Sequence, residues 1–276
     1  MYNKLLLLAA SVWTLSATAG VVYDSIPAPL PPNVSSLGYE ATSTRELGNA
    51  VNLGPGSRQL TGITVVMSNW AKESTYEAIG ASAGFQVPLT LNLYNPGPSG
   101  SVGSNFSSLT INAFIPWRPE HDASCAGDAY LAADNGCYNG IAAEVIFDYS
   151  NQFVTLPDSL IFGLAFNTEH NGYSPTGIAG PWNSLNFGVQ GAPSVGTNVD
   201  GDIAYWNTTH AGFYSDNGAG GVGTFRADTG WAGFSPEIRI DVVPEPAYGG
   251  LILLVVVSGW YLRRARRDPT RNNQAS

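Results

Sequence analysis

The chain has 276 residues, of which only 12% are charged, and it carries 32 glycines with 13 Tyr, 11 Phe and 7 Trp. So few Glu, Lys and Arg argue against long polar helices, and the Gly, Asn, Ser, Thr and aromatic content favours short strands joined by turns. Five of the 12 basic residues fall in the last fourteen positions and Lys4 stands at the front, which leaves six against 19 acidic residues between Gly20 and Val243. A body with a net charge of about −13 is repelled by phosphate backbones, which argues against nucleic-acid binding, and such a charge favours solubility.

The first residues, MYNKLLLLAASVWTLSATAG, have the three parts of a secretory signal: Lys4, an apolar core over Leu5–Leu15, and Ala17-Thr18-Ala19 as an A-x-A cleavage site. The core is too short for a spanning helix of about 20 residues. Cleavage is expected after Ala19, which assigns 1–19 to the signal peptide and about 20–242 to one ectodomain. The next stretch, YDSIPAPLPPNVSSLGYEA, holds Pro27, Pro29, Pro31 and Pro32 and reads as an extended strap leading into the first strand.

Period-two patterns follow. LTGITVVMSNW (Leu60–Trp70) is a strand candidate, and Ala71–Gly84 is a crossing loop with room for one helical turn. In VPLTLNLYN, Leu89, Leu91 and Leu93 face one way and Thr90, Asn92 and Tyr94 the other. Leu109, Ile111, Ala113 and Ile115 alternate with polar neighbours in SLTINAFIPW, as do Val145, Phe147 and Tyr149 in AEVIFDY. SLIFGLAFN puts Leu160, Phe162, Leu164 and Phe166 on one face, and EIRIDV turns Ile238, Ile240 and Val242 inward. Half-buried strands bounded by loops such as NPGPSGSVGSN point to an all-β fold: a two-sheet antiparallel β-sandwich of jelly-roll or Greek-key type.

Chemistry-bearing residues are sparse. Cys125 and Cys137, the two cysteines, are read as a disulfide, since an exported chain meets oxidising conditions and a zinc site needs further ligands than His121. No HExxH, GxSxG, Walker loop or GxGxxG at a strand–helix junction is present. Glu169 and His170, in FNTEHNGYSP, converge only if their strand has already ended; with Asp148 or Asp202 they would form a hydrolase set, and the plainer reading is loop polarity. Asp200 and Asp202 flank Gly201 and offer hard oxygen ligands for calcium, or form a turn with two solvated acids. Trp70, Trp117, Trp182, Trp206 and Trp231 lie at strand ends or in loops. Trp117, Trp182 and Trp206 either stack on sugar rings or close the core.

The tail VVPEPAYGGLILLVVVSGWYLRRARR carries Pro244, Glu245 and Pro246, then the apolar run Ala247–Leu262, then Arg263, Arg264, Arg266 and Arg267. The run has 16 residues, about 24 Å of helix against ~30 Å of bilayer core, so it spans with help from its flanks as a single C-terminal transmembrane helix. The arginines hold its end in the cytoplasm, which leaves the body outside and 268–276 as a short cytoplasmic tail.

The ordered triplet, span and arginines over 243–267 resemble the PEP-CTERM sorting signal of exported bacterial proteins. FIPWRPE, CYNG, GPWNSLN and SVGTNVDGDIAYWN resemble a group of bacterial surface proteins that carry this tail. The resemblance implies recognition of Pro244-Glu245-Pro246 by an exosortase, a membrane protease of bacteria that make exopolysaccharide. It implies an inner-membrane stage with the body in the periplasm, then the cell surface or the extracellular matrix. The expected function is therefore a non-catalytic surface or matrix protein without a cofactor; the alternative is a carbohydrate-binding module, with or without calcium, and a hydrolase comes third. Intact-mass measurement of the exported protein is expected to give a chain that begins at Gly20 and lacks Tyr248–Arg267. A mature chain that keeps those residues would make the tail a plain single-span anchor.

Overall fold

The computed structural model describes residues 20–79 and 83–244. The export signal with Ala19, the residues Glu245 and Pro246, the apolar span and its arginines lie outside the described residues. Among the described residues no helix is long and apolar enough to cross a membrane.

The strands run in chain order as β1 (Gly20–Asp24), β2 (Ser36–Gly38), β3 (Thr44–Asn52), β4 (Leu60–Asn69), β5 (Gly84–Pro96), β6 (Val102–Pro116), β7 (Tyr130–Leu131) and β8 (Cys137–Tyr138). They continue as β9 (Ile141–Asp148), β10 (Ser159–Phe166), β11 (Leu185–Gly188), β12 (Thr197–Asn198), β13 (Ile203–Thr208), β14 (Arg226–Thr229) and β15 (Ile238–Val242). One sheet has the order β1-β15-β4-β11-β2, with β9 also paired to β4; the other has the order β14-β13-β3-β10-β5-β6, with β12 also paired to β3. Every strand pairing in both is antiparallel. The two sheets share one apolar core, to which the first contributes Ile63, Val65, Met67, Phe147, Phe187 and Ile240, and the second Leu47, Leu91, Phe162, Leu164 and Trp206. This is the arrangement of an all-β sandwich.

The expected alternation holds in β5, β6, β9 and β15: Val145 and Phe147 are buried while Glu144, Ile146 and Asp148 are exposed. In β10 Leu160, Phe162, Leu164 and Phe166 share the core face as expected, but the other face is not wet, because every residue from Leu160 to Phe166 is buried. The second sheet covers its outer face as well, so Ile161 packs there with Ala50 and Tyr205. Two strands carry no readable pattern. In β3 the polar Glu46 and Asn49 are buried among apolar residues, which destroys the period. The segment of β13 follows two aspartates that make it look like a loop.

Ala71–Gly84 crosses from β4 to β5 and holds two single 3-10 turns, Glu73–Thr75 and Glu77–Ile79, in its described part. The proline strap lies on the outer face of the first sheet. Ile26 and Val34 bury against Val66 beside Leu30 and Ala142, and the Ala142 amide donates to the Pro32 carbonyl at 2.8 Å. Cys125 and Cys137 form the expected disulfide, tied to the β7–β8 hairpin. Closing a loop with a sequence separation of 12 is worth roughly 3 kcal/mol on the chain-entropy model. The Cys125→Ser/Cys137→Ser protein is expected to lose up to that amount in denaturant unfolding while its far-UV signal is kept. An unchanged midpoint would show that the hairpin unfolds apart from the sandwich.

Candidate functional site

Two polar or aromatic assemblies stand out, and the first sits on the loop after β10. That strand ends at Phe166, so Glu169 and His170 escape strand alternation and meet. His170 Nδ1 lies 2.5 Å from Glu40 Oε1, and its Nε2 lies 3.5 Å from Glu169 Oε1. The three ligating atoms lie within 4.8 Å of one another. The geometry resembles a metal-supporting carboxylate–histidine pair. The Glu40 carboxylate, however, is filled from within the chain: Thr168 Oγ1, the His170 amide and Asn171 Nδ2 all donate to it. Partial burial acts to raise the Glu40 carboxyl, but those hydrogen bonds outweigh it and hold it below its usual range. The Glu40 hydrogen bond, and then the Glu169 charge, raise His170.

The same loop is fastened a second time. Tyr173 donates its hydroxyl to Glu46 Oε2, while Asn92 Nδ2 and Tyr94 Oη donate to Oε1 at 2.8 and 2.9 Å. Glu46 is fully buried on the outer face of β3, and burial raises its carboxyl against the pull of these three donors. Gly163 makes the space: a Cβ there would stand 2.2 Å from Glu46 Oε1. Glu46 therefore pins the loop to β3, and Glu40 pins it to the turn between β2 and β3.

The remaining members of the hydrolase set do not join. Asp148 accepts the Ser150 amide at 2.8 Å, and Asp202 accepts the Ala232 amide at 3.2 Å. Asp200 accepts the Asp202 amide at 2.9 Å and so forms a turn, and among the described residues no third ligating group joins the pair.

The second assembly is a cleft of about 540 Å³ where β2 and β14, terminal strands of the two sheets, both line one opening. Trp206 on β13 meets Trp231 edge-on, with ring centroids 5.2 Å apart. Their nitrogens are anchored, Trp206 Nε1 to Thr44 Oγ1 at 2.8 Å and Trp231 Nε1 to Asp228 Oδ2 at 3.0 Å. Asp228 Oδ1 in turn accepts the amide and hydroxyl of Ser215. Phe213 and Phe234 complete the aromatic lining and stay 40% and 51% exposed. Ser36, Leu37 and Val189 form the opposite wall.

Of the three expected platform residues only Trp206 borders this cleft, and it is buried at 4% exposure, so it closes the core behind the exposed phenylalanines. Trp117 is buried in a different aromatic group, with Tyr76 and Phe85. Trp182 is half-buried on the Pro181–Ser184 turn and donates to the Ile178 carbonyl. Phe213, Phe234, Asp228, Glu40 and Glu46 went unread in the sequence. The spacing Trp231-Ala-Gly-Phe234 in a glycine-rich turn was the one available signal. Comparison with protein-family models, with curated proteins and with solved structures gives no match.

The His170 clamp has a definite pH sense. A histidine raised above its unfolded value adds stability in full below about pH 6.5, and that stability is lost as pH rises through the higher folded value. An NMR titration of His170 is expected to give a midpoint above 6.5 that falls back in Glu40→Gln. A midpoint at or below 6.5 would contradict the clamp.

Proposed function

We propose that this is an exported, non-catalytic surface protein whose sandwich body binds a saccharide in the cleft between β2 and β13–β14. One observation carries the reading: two exposed phenylalanine rings, Phe213 and Phe234, stand beside anchored indoles in a concave opening with hydroxyls at its edge. Sugar rings present C–H faces that pack on aromatic rings and hydroxyls that need polar partners, and this lining supplies both. The acidic body selects against uronates and sulfated sugars, so the ligand is a neutral saccharide. The proposed contacts are aromatic rings and hydroxyls, so binding is expected to proceed without calcium.

The wider setting remains the one that the tail suggests. The protein is sorted by an exosortase at Pro244-Glu245-Pro246 and is held beforehand by a single C-terminal membrane helix. It works at the cell surface or in an exopolysaccharide matrix. A jelly-roll or Greek-key topology is favoured by a chain that passes from one sheet to the other at most of its connections, such as β3 to β4, β4 to β5 and β9 to β10.

A glycan array probed with the exported protein, with and without calcium, tests the reading. Retention of neutral oligosaccharides in both conditions is expected, and Phe234→Ala is expected to weaken binding about tenfold, close to 1.4 kcal/mol. No retention of any glycan would remove the proposal, and retention that Phe213→Ala and Phe234→Ala leave intact would move the site elsewhere.

A further inference from the structure

Glu237 is the anomaly of the first sheet. It is fully buried immediately before β15, and neither carboxylate oxygen has a hydrogen-bond partner. Its backbone is in place: the amide donates to the Gly188 carbonyl at 2.9 Å and the carbonyl accepts the Val66 amide at 3.2 Å. Its side chain lies on the outer face, because Ile238, next along, points into the core. There it meets the proline strap. A Cβ on Gly188 would stand 2.9 Å from Glu237 Oε2 and 3.1 Å from Val34 Cγ2, so the carboxyl is held between Gly188 and Val34.

No charge compensates it. Arg239, two residues along the same face, is turned to Asp241 and Thr64, and Asp24 stands opposite it on β1. Glu144, on β9 opposite Val66, is exposed. The strap from Ser25 to Ser35 and the strands β2 and β11 contain no ionisable residue.

We propose that Glu237 is a pH-sensitive latch for the strap: protonated, it lets Val34 stay seated, and ionised, it drives the strap off the sheet. The strap runs straight into Ser35, Ser36 and Leu37, one wall of the aromatic cleft, and the Val189 amide on that wall is held by the Ser35 carbonyl at 2.7 Å. Lifting the strap therefore reshapes the cleft. This regulatory consequence rests on the saccharide reading, whereas the latch does not.

Burial pushes the Glu237 carboxyl up to about 8, while an opened strap returns it to water and to a value near 4.3. Between those values the closed form binds the extra proton. Closure is therefore strongest at low pH, weakens as pH rises through this window, and changes no further above it.

Amide hydrogen exchange of the full exported protein tests the latch without any ligand. With intrinsic exchange rates corrected, protection of the Ala142 amide, which depends on Pro32, is expected to fall by up to about tenfold per pH unit between pH 5 and 8. In Glu237→Gln the fall is expected to vanish. The Leu60 amide, bonded to the Val154 carbonyl away from the strap, is expected to keep its protection in both proteins. Val34→Ala, which trims the cover and keeps the carboxyl, is expected to lower Ala142 protection several-fold at every pH. A flat Ala142 profile in the parent, a slope that survives in Glu237→Gln, an equal slope at Leu60, or full protection in Val34→Ala would each overturn the latch. Loss of glycan binding alone would not.

Discussion

A sheet that is apolar on both faces has to be covered on both sides, and most of this structure follows from that constraint. β10, with β3 and β5 as neighbours, buries its inner face against the first sheet. Its outer face must also be closed, and Glu46 with its donor Tyr173, together with the Tyr94, Tyr205 and Phe225 rings, does this. The first sheet faces the same demand around Val66 and meets it with the proline strap, whose residues lose little conformational freedom on docking. Loops and strap are in this sense second layers of the fold.

Cover of that kind encloses polar groups, and three buried carboxylates show the range of outcomes. Glu46 and Asp228 each receive three donors, which locks Tyr173 and its loop in one case and Trp231 with Ser215 in the other. Glu237 receives none. A satisfied hydrogen bond contributes a net 0.5–1.5 kcal/mol, while a buried polar group without a partner costs about 1–3 kcal/mol and more if charged. The first two carboxylates therefore hold their surroundings rigid, and the third favours any movement that hydrates it. The rigid pair includes the floor of the aromatic cleft, and the loose one lies beneath the strap that leads into its wall.

The sequence revealed those parts of the fold in which one face is buried and the other wet. β5, β6, β9 and β15 alternate and were readable, and the cysteine pair followed from spacing and from the oxidising conditions that an export signal implies. β3 was not readable, because Glu46 and Asn49 sit in a strand interior and look like turn residues until Asn92, Tyr94, Tyr173 and Ser235 are seen around them. The same limit applies to the sites. Glu40 is 130 residues from His170, and Phe213 and Phe234 join Trp206 only after β13 and β14 have paired and the loops around them have folded back. Trp117 and Trp206 look alike as strand-associated tryptophans and both are buried in the core, but only Trp206 also borders the cleft.

The resulting picture, among the described residues, is of a sandwich with covered outer faces and an aromatic cleft lined by two terminal strands. A crystal structure of the protein with a neutral oligosaccharide addresses that picture most directly. The account predicts a sugar ring packed against Phe213 and Phe234, with its hydroxyls toward Ser36 and Thr229. A sugar bound on another surface, or a cleft left empty at saturating ligand, would contradict it.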